Sequence, residues 1–487
     1  MSVRQARQDF PLIREDGFNT IILVVPWRGL QTEQFPPRYE KSYFKLLRQL
    51  LREARRARLW VILRVSYAHH ICDEASLISK HLTARLLTDS AYQAPWLDHL
   101  HRLRRCTRFA SNLRGEFLSW EEFWHGLMRF CEEPEQARRE LAASTGYNRF
   151  MGRQAGIIPA QDEPGFEDYQ AFINVRLREL FELGKQALPG LGYEFRVDKD
   201  PVQRSDGSVD WLQNDYFADS DILRYSYWAP FIGAANQGEQ LTAEQALGLL
   251  EYNLKEQTRE GINTRLIVDQ FNFVDDTFKY SGSNARLAQA EIEPFLQGSA
   301  QLLRDHCTGY GIWAWRDYLQ NHLFNPGFGL GLKGWQVHAG KVRVKTAAGG
   351  SLRLSQGGEV GQAFGGPSHG MHRKYKTSHV ELVVNCDSVR DLVLEATIDG
   401  SSYHPLLADA AGVFRASLPL DDGVYGKRGV DFRLRALAGS GRLLDVCLYQ
   451  HAYRVGIRTT DGAPGAYLRP VIQLNTALAS LPGEPVK

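Results

Sequence analysis

Two adjacent glutamates, Glu121 and Glu122, follow a short apolar run that ends in Trp120 (EFLSW, 116–120), and Asp269 with Gln270 closes another (RLIVDQF, 265–271). Carboxyl groups are the side chains that general acid, general base or nucleophilic work requires. The same glutamates also suit the acidic first turn of a helix, EEFWHGLMRF, where the helix dipole favours negative charge. Further polar and aromatic residues share this place at the ends of apolar runs. Trp27 ends TIILVVPW (20–27), Tyr67, His69 and His70 close or follow LWVILRVSY (59–67), and Asp198 and Asp200 come at the end of YEFRVD (193–198). Tyr227 and Trp228 end ILRYSYW (222–228), and Trp315 and Asp317 end GIWAWRD (311–317). For each of them a packing role competes with ligand contact. The chain also holds 10 Trp and 20 Tyr, whose flat faces stack on the C–H faces of sugar rings while their N–H and O–H groups bond hydroxyls.

The elements that must position these residues are legible as a pattern. The seven runs are nearly continuous in Ile, Val, Leu and aromatics, as a parallel sheet buried on both faces requires. Between them lie amphipathic stretches such as 42–57, 168–188 and 242–261, the last opened by Thr242 as N-cap. Repeated βα units over some 300 residues favour an α/β TIM barrel, (β/α)8, over an open doubly wound sheet, and no GxGxxG follows the early strands. Barrels of this kind place active-site residues at the C-terminal strand ends, where the residues above fall. Seven strands are present rather than eight. The chain opens with a helical stretch (3–17), so the first barrel strand is missing or displaced.

After residue 325 alternating segments between glycines take over, which argues for an all-β sandwich. The expected domains are 1–322 for the barrel and 323–487 for the sandwich, with a disordered tail from about 477. The formal net charge of +2 and the lack of any run of five like charges exclude a nucleic-acid reading; Arg52 to Arg58 reads as a solvated helix face. No apolar run is long enough to cross a bilayer. The six cysteines lie far apart without a CxxC pair, and reduced, mostly buried thiols follow. No metal or cofactor is expected, although His369 and His372 lie three apart in a polar loop with Tyr375. The polar N-terminus points to the cytoplasm, or to a secreted or periplasmic protein if residues upstream are missing. Oligomeric state is not legible.

GFNTIILVVPWRGLQ, then a helix, then LWVILRVSY resembles the second and third strands of the retaining TIM-barrel glycoside hydrolases of clan A, and the resemblance spans about residues 10–320. In that superfamily the acid/base ends strand four within Trp-Asn-Glu, and the nucleophilic Glu ends strand seven within Thr-Glu-Phe-Gly. Trp120-Glu121-Glu122 and Asp269-Gln270-Phe271-Asn272 stand at those places. The resemblance therefore implies Glu122 as acid/base, or Glu121 if the strand end is shifted by one. It puts Gln270 where the nucleophile belongs, and a carboxamide cannot form an ordinary glycosyl ester. Three explanations stand open: an engineered Glu→Gln exchange, natural loss of activity with retained sugar binding, or substitution by Asp269, which strand alternation would turn away. The partner implied is a β-linked oligo- or polysaccharide, met by Trp27, His70, Asp198, Tyr227, Trp228, Asp269 and Trp315. LFNPGFGLGLKGWQVHAGKVRV (323–344) resembles the opening of carbohydrate-binding jelly rolls.

Overall fold

Six of the apolar runs supply strands that lie side by side in one sheet, and the seventh strand, Gly309–Tyr310, ends just before the run 311–317. In the computed structural model, which describes residues 1–25, 39, 41–65, 86–87, 89–118, 127–195, 197–203, 209–213, 224–230, 238–258, 266–274, 285–346, 350–364, 377–421 and 429–479, they are β1 (Thr20–Val24), β2 (Trp60–Arg64), β3 (Leu113–Leu118), β4 (Leu191–Phe195), β5 (Arg224–Trp228), β6 (Leu266–Phe271) and β7 (Gly309–Tyr310). They pair in parallel in that order.

Period-two alternation divides their side chains between two environments. Ile21, Val61, Leu63, Leu118, Leu191, Tyr193, Leu266 and Val268 face the helices in the main core. Ile22, Ile62, Phe117, Tyr225 and Ile267 form a separate apolar cluster. That cluster draws on five strands of the sheet, which requires the sheet to curl around it. The curl brings the two ends together: a Cβ on Gly311, just past β7, would lie 3.4 Å from Cδ1 of Ile22 on β1 and 3.0 Å from the Asp269 carbonyl oxygen. Glycine is needed there for the close approach.

The helices cover the convex face: α1 (Val3–Glu15), α2 (Lys41–Arg56), α3 (Ser90–Thr107), α4 (Phe166–Ala187), α5 (Ala243–Gln257), α6 (Ile292–His306) and α7 (Leu468–Ala479). In α2 the buried Phe44, Leu47, Leu51 and Ala54 recur on one stripe, each large side chain contributing about 1.5–3 kcal/mol on burial. Thr242 caps α5 in a capping box with Gln245.

No strand fills the seam between β1 and β7 among the described residues. Side chains bind it instead. Asp16, after α1, accepts from Trp315 Nε1 (2.7 Å) and from Arg458 Nε (2.7 Å) and Nη2 (2.5 Å), and its carbonyl accepts from Asn475 of α7 (2.9 Å). Tyr310 of β7 donates to the Asn475 side chain as well.

Ten of the remaining strands form an antiparallel sheet, which includes β8 (Tyr318–Asn321), β9 (Ser351–Ser355), β10 (Glu359–Phe364), β11 (His379–Thr397), β12 (Val413–Pro419) and β13 (Val430–Tyr453). Strands β11 and β13 run for 19 and 24 residues, where sequence alone suggests two strands each. The breaks at Asp387–Asp391 and near Gly439 are bulges inside continuous strands, with register slips between Asp387 and Arg390 and between Arg390 and Val393. A Cβ on Gly439 would sit 2.1 Å from the Asp391 carbonyl, so only glycine fits. Bent at these bulges, the sheet closes over its own core. Val380, Leu382 and Val384 from one half of β11 and Leu394 and Ala396 from the other meet Phe432, Leu434, Val446 and Leu448 of β13.

The Asn-x-Gly-Phe and Gly-Trp residues at the start of this unit serve that core. Phe328 and Trp335 are buried in it, and the Asn325 side chain binds the carbonyls of Gly331 and Lys333 and the amide of Leu330. The chain then returns to the first unit. Ile457, Leu468, Val471 and Leu474 belong to the core of the parallel sheet, so the antiparallel unit is inserted between β7 and α7. Residues 477–479, expected in a disordered tail, are the last turn of α7. The described cysteines are unpaired, and Cys106, Cys131 and Cys386 are buried.

Candidate functional site

Above the apolar cluster on the concave face, toward the C-terminal strand ends, lies a polar layer. Arg64 follows Ile62 by two residues on β2, and Tyr227 and Asp269 follow Tyr225 and Ile267 by two on β5 and β6, so the pleat brings them to the same face. The contacts confirm the direction. Arg64 Nη2 lies 3.5 Å from Oε2 of Glu194 on β4, although β3 intervenes in the sheet. Gln270 Nε2 of β6 donates to Oε1 of Glu194 at 3.2 Å across β5. Such contacts between alternate strands fit the inside of a curled sheet, the layering known from closed barrels.

Arg64, Glu194, Asp269 and Gln270 are all buried, with Gln270 the most exposed at 8%. A carboxylate accepts only, so the 270 carboxamide must turn its NH2 toward Glu194. Both Glu194 oxygens are thereby engaged, one by a guanidinium and one by an amide. This carboxylate is part of the scaffold beneath the mouth rather than a group presented to a reacting atom.

The strand carrying Gln270 is irregular where it matters. Ser226 pairs with Val268, but Tyr227 pairs with Gln270, so Asp269 is an extra residue on β6. The bulge overturns the expectation that alternation turns Asp269 away from the side Gln270 faces. Asp269 stays near the interior Tyr225, where burial first, and then the negative charges of Asp269 and Glu116, push the Tyr225 hydroxyl far above its ordinary value. Phe271, one residue on, returns to the outer core against Trp228, Phe295 and Tyr310.

The other expected contacts fall as follows. Trp228 is 1% exposed and stacks on Phe271 and Phe295 in the core beneath the helices, so it is a packing residue. Tyr227 is on the concave side, clustered with Ala229. Trp315 donates its indole N–H to Asp16, with Arg316 and Arg458 each 5.7 Å from its ring; it binds the seam. Asp317 accepts from the Gly456 amide. Asp198 lies on the strand Val197–Gln203, which pairs with Val209–Gln213 in a hairpin beyond β4. Glu121, Glu122, Trp27 and His70 lie outside the described residues.

Three residues were missed by sequence reading: Arg64, Glu194 and Trp313. The first two carried a signal, since a charged residue inside a strand run that must be buried on both faces requires a partner. Trp313, not Trp315, exposes its ring after β7, at 37%. It comes two residues after Gly311, whose carbonyl accepts from the Phe271 amide at 2.7 Å, so its segment follows the strand that pairs with the one carrying Gln270.

Chemically, the layer is a buried guanidinium, carboxylate and amide that satisfy one another below the strand ends, and Trp313 adds an exposed aromatic residue after β7; aromatic faces flanked by polar groups suit sugar rings and hydroxyls.

No protein-family model matches the chain, and no curated protein does. Solved structures similar to it include a GH5_18 variant from Bifidobacterium longum subsp. longum in complex with Manβ1-4GlcNAc, at 11% identity over 65% of this chain and 64% of that one, with a TM-score of 0.42. The exo-β-1,4-mannosidase Op5Man5 from Opitutaceae bacterium strain TAV5 is similar at 15% identity over 64% of this chain and 48% of that one, with a TM-score of 0.40. The chain thus spans less than two thirds of the length of either. A β-glycosidase, BGL167, is similar at 14% identity over 65% and 78%, with a TM-score of 0.39. Likenesses this remote leave the site to be argued from its own residues.

Proposed function

We propose that this chain is a glycoside hydrolase-type protein whose curled sheet, read as a (β/α)8 barrel lacking its first strand, takes a β-linked oligo- or polysaccharide at the C-terminal strand ends. The antiparallel unit is read as a jelly roll. Glu122 is the acid/base, with Glu121 as the alternative, and position 270 is the nucleophile's place in a double displacement. The single observation that supports this most is the situation of Gln270. It sits at the C-terminal end of a concave strand, hydrogen-bonded to a carboxylate and beside the segment that carries an exposed tryptophan.

Retaining hydrolysis needs two carboxyl groups about 5–5.5 Å apart, one to protonate the leaving oxygen and one to attack the anomeric carbon. With an amide at 270 the attacking half is absent, so the chain as it stands holds glycan without an ester intermediate. The test is Gln270→Glu, assayed on every β-linked glycan that the parent binds. A gain of hydrolysis that Glu122→Gln abolishes again supports the enzyme reading. If the variant hydrolyses none of them, that reading fails.

A second reading, a catalytically silent glycan-binding protein using the same cleft, is favoured by one specific contact. The Gln270 amide donates to Glu194, which already faces Arg64. An amide suits that surrounding as it is built, and a second carboxylate there would share the Arg64 guanidinium with Glu194.

A further inference from the structure

The exposed Trp313 is held by residues of the inserted antiparallel unit. Its indole Nε1 donates to the Tyr318 hydroxyl at 3.3 Å, and the two ring planes stand at 89° with centroids 6.1 Å apart. The contact therefore uses the N–H edge of the indole and leaves its broad face to other partners. Tyr318 opens β8 and pairs in register with Tyr453 at the end of β13. Their rings stack at 4.8 Å and 16°, and His451, two residues earlier on the same face of β13, meets Tyr453 edge-on at 4.7 Å. A chain of aromatic contacts thus runs from the inserted sheet to the exposed tryptophan that follows β7. The pairing continues past Tyr318, with Leu319 opposite Ala452 and, after a register shift, Asn321 opposite Tyr449 of β13.

We infer that Tyr318 and Tyr453 are positioning residues that orient the Trp313 indole for stacking on a pyranose ring, so that the inserted unit is a working part of the glycan cleft. The inference rests on the glycan reading of that cleft. Sugar–aromatic stacking depends on the angle of the ring face, and an indole free to rotate would lose entropy on binding. A hydrogen bond to a hydroxyl that is itself fixed by a stacked partner removes that freedom beforehand. The ligand class is a β-linked oligosaccharide.

The experiment has two readouts on the full chain. In protein labelled with 15N-tryptophan, the Trp313 indole N–H resonance is assigned by its loss in Trp313→Phe. Affinity for β-1,4-mannotriose and for cellotriose is measured by calorimetric titration. Tyr318→Phe, which removes the acceptor, and Tyr453→Ala, which removes the stack, should both shift the resonance and speed its exchange with solvent. Each should weaken binding by about 3- to 10-fold, the size of one such hydrogen bond or ring pair. Tyr453→Phe keeps the stack and should restore both readouts, which separates positioning from a general loss of folding. If Tyr453→Ala leaves the resonance and the affinity unchanged while Trp313→Ala abolishes binding, the inference is overturned and the glycan reading stands. If neither trisaccharide binds the parent, or Trp313→Ala binds as the parent does, the glycan reading of this wall fails and takes the inference with it.

Discussion

Gln270 on β6 and Glu194 on β4 are joined across an intervening strand by a 3.2 Å hydrogen bond, with the guanidinium of Arg64 on the other side of Glu194. The arrangement fixes what an exchange at position 270 would do. Gln270→Glu puts two carboxyl groups in contact inside a buried layer, with the Arg64 guanidinium as the positive partner among the described residues. Like charge and burial together raise the pKa of the introduced acid. An acid whose folded pKa lies above its unfolded value is neutral and harmless at low pH, and its penalty grows as pH rises through that interval. The variant should match the parent in stability at pH 4 and fall behind by about 1–3 kcal/mol at pH 8. Urea denaturation at the two pH values checks this, and equal stability at pH 8 would contradict the geometry.

Asp16→Ala should be among the most damaging single changes. It leaves the buried Arg458 guanidinium with its bond to the Gly462 carbonyl but without its carboxylate, and the half-buried Trp315 N–H without its acceptor, at the seam where the described residues include no strand. Removing one partner of a buried pair costs about 3–5 kcal/mol. The denaturation midpoint should drop accordingly, and a loss below about 1 kcal/mol would show that the seam is held by something else.

Trp313 and Trp315 should separate cleanly by readout. Trp315→Phe removes a donor from the Asp16 cluster and should lower stability by about 1–3 kcal/mol while leaving the exposed face of Trp313 in place. Trp313→Ala should leave stability within about 1 kcal/mol, since the ring is partly in solvent, and should weaken glycan binding instead. A reversal of these two patterns would mean that the sugar platform is Trp315.

Burial raises the pKa of Glu116, on β3, from an ordinary value near 4.5 to about 7. Between those values the folded chain binds the proton more readily than the unfolded one, so this group's contribution to stability falls as pH rises from about 4.5 to 7. The expected loss is up to about 3 kcal/mol. Glu116→Gln removes that slope and should be more stable than the parent at pH 8 and no more stable at pH 4. Parallel pH profiles for the two proteins would place Glu116 in contact with water or a cation.

The parallel strands were legible because a strand buried on both faces has no polar alternation to confuse it; runs such as TIILV and WVILR admit few other readings. Thr242 at the start of α5 was legible for the same local reason, its cap being written within four residues. Asp269 was not, since its bulge is a property of two strands and appears only when Tyr227 is seen to pair with Gln270. The Arg64–Glu194 pair was hidden by distance in sequence, although each charge inside its run posed the question. The Asp-Ser and Gly-Ser breaks of β11 and β13 look like turns from sequence, and the structure uses them as bends. Helix α7 was not legible, and its last residues, 477–479, fell in the expected tail, because its apolar stripe has meaning only against a core completed about 160 residues earlier, at β7.

The most direct measurement is the separation, in a crystal structure, between the Glu122 carboxyl and the side chain at position 270. A glycosidase-type site predicts about 5–5.5 Å across an open mouth; a separation well beyond about 10 Å, outside the range of either glycosidase geometry, would contradict it.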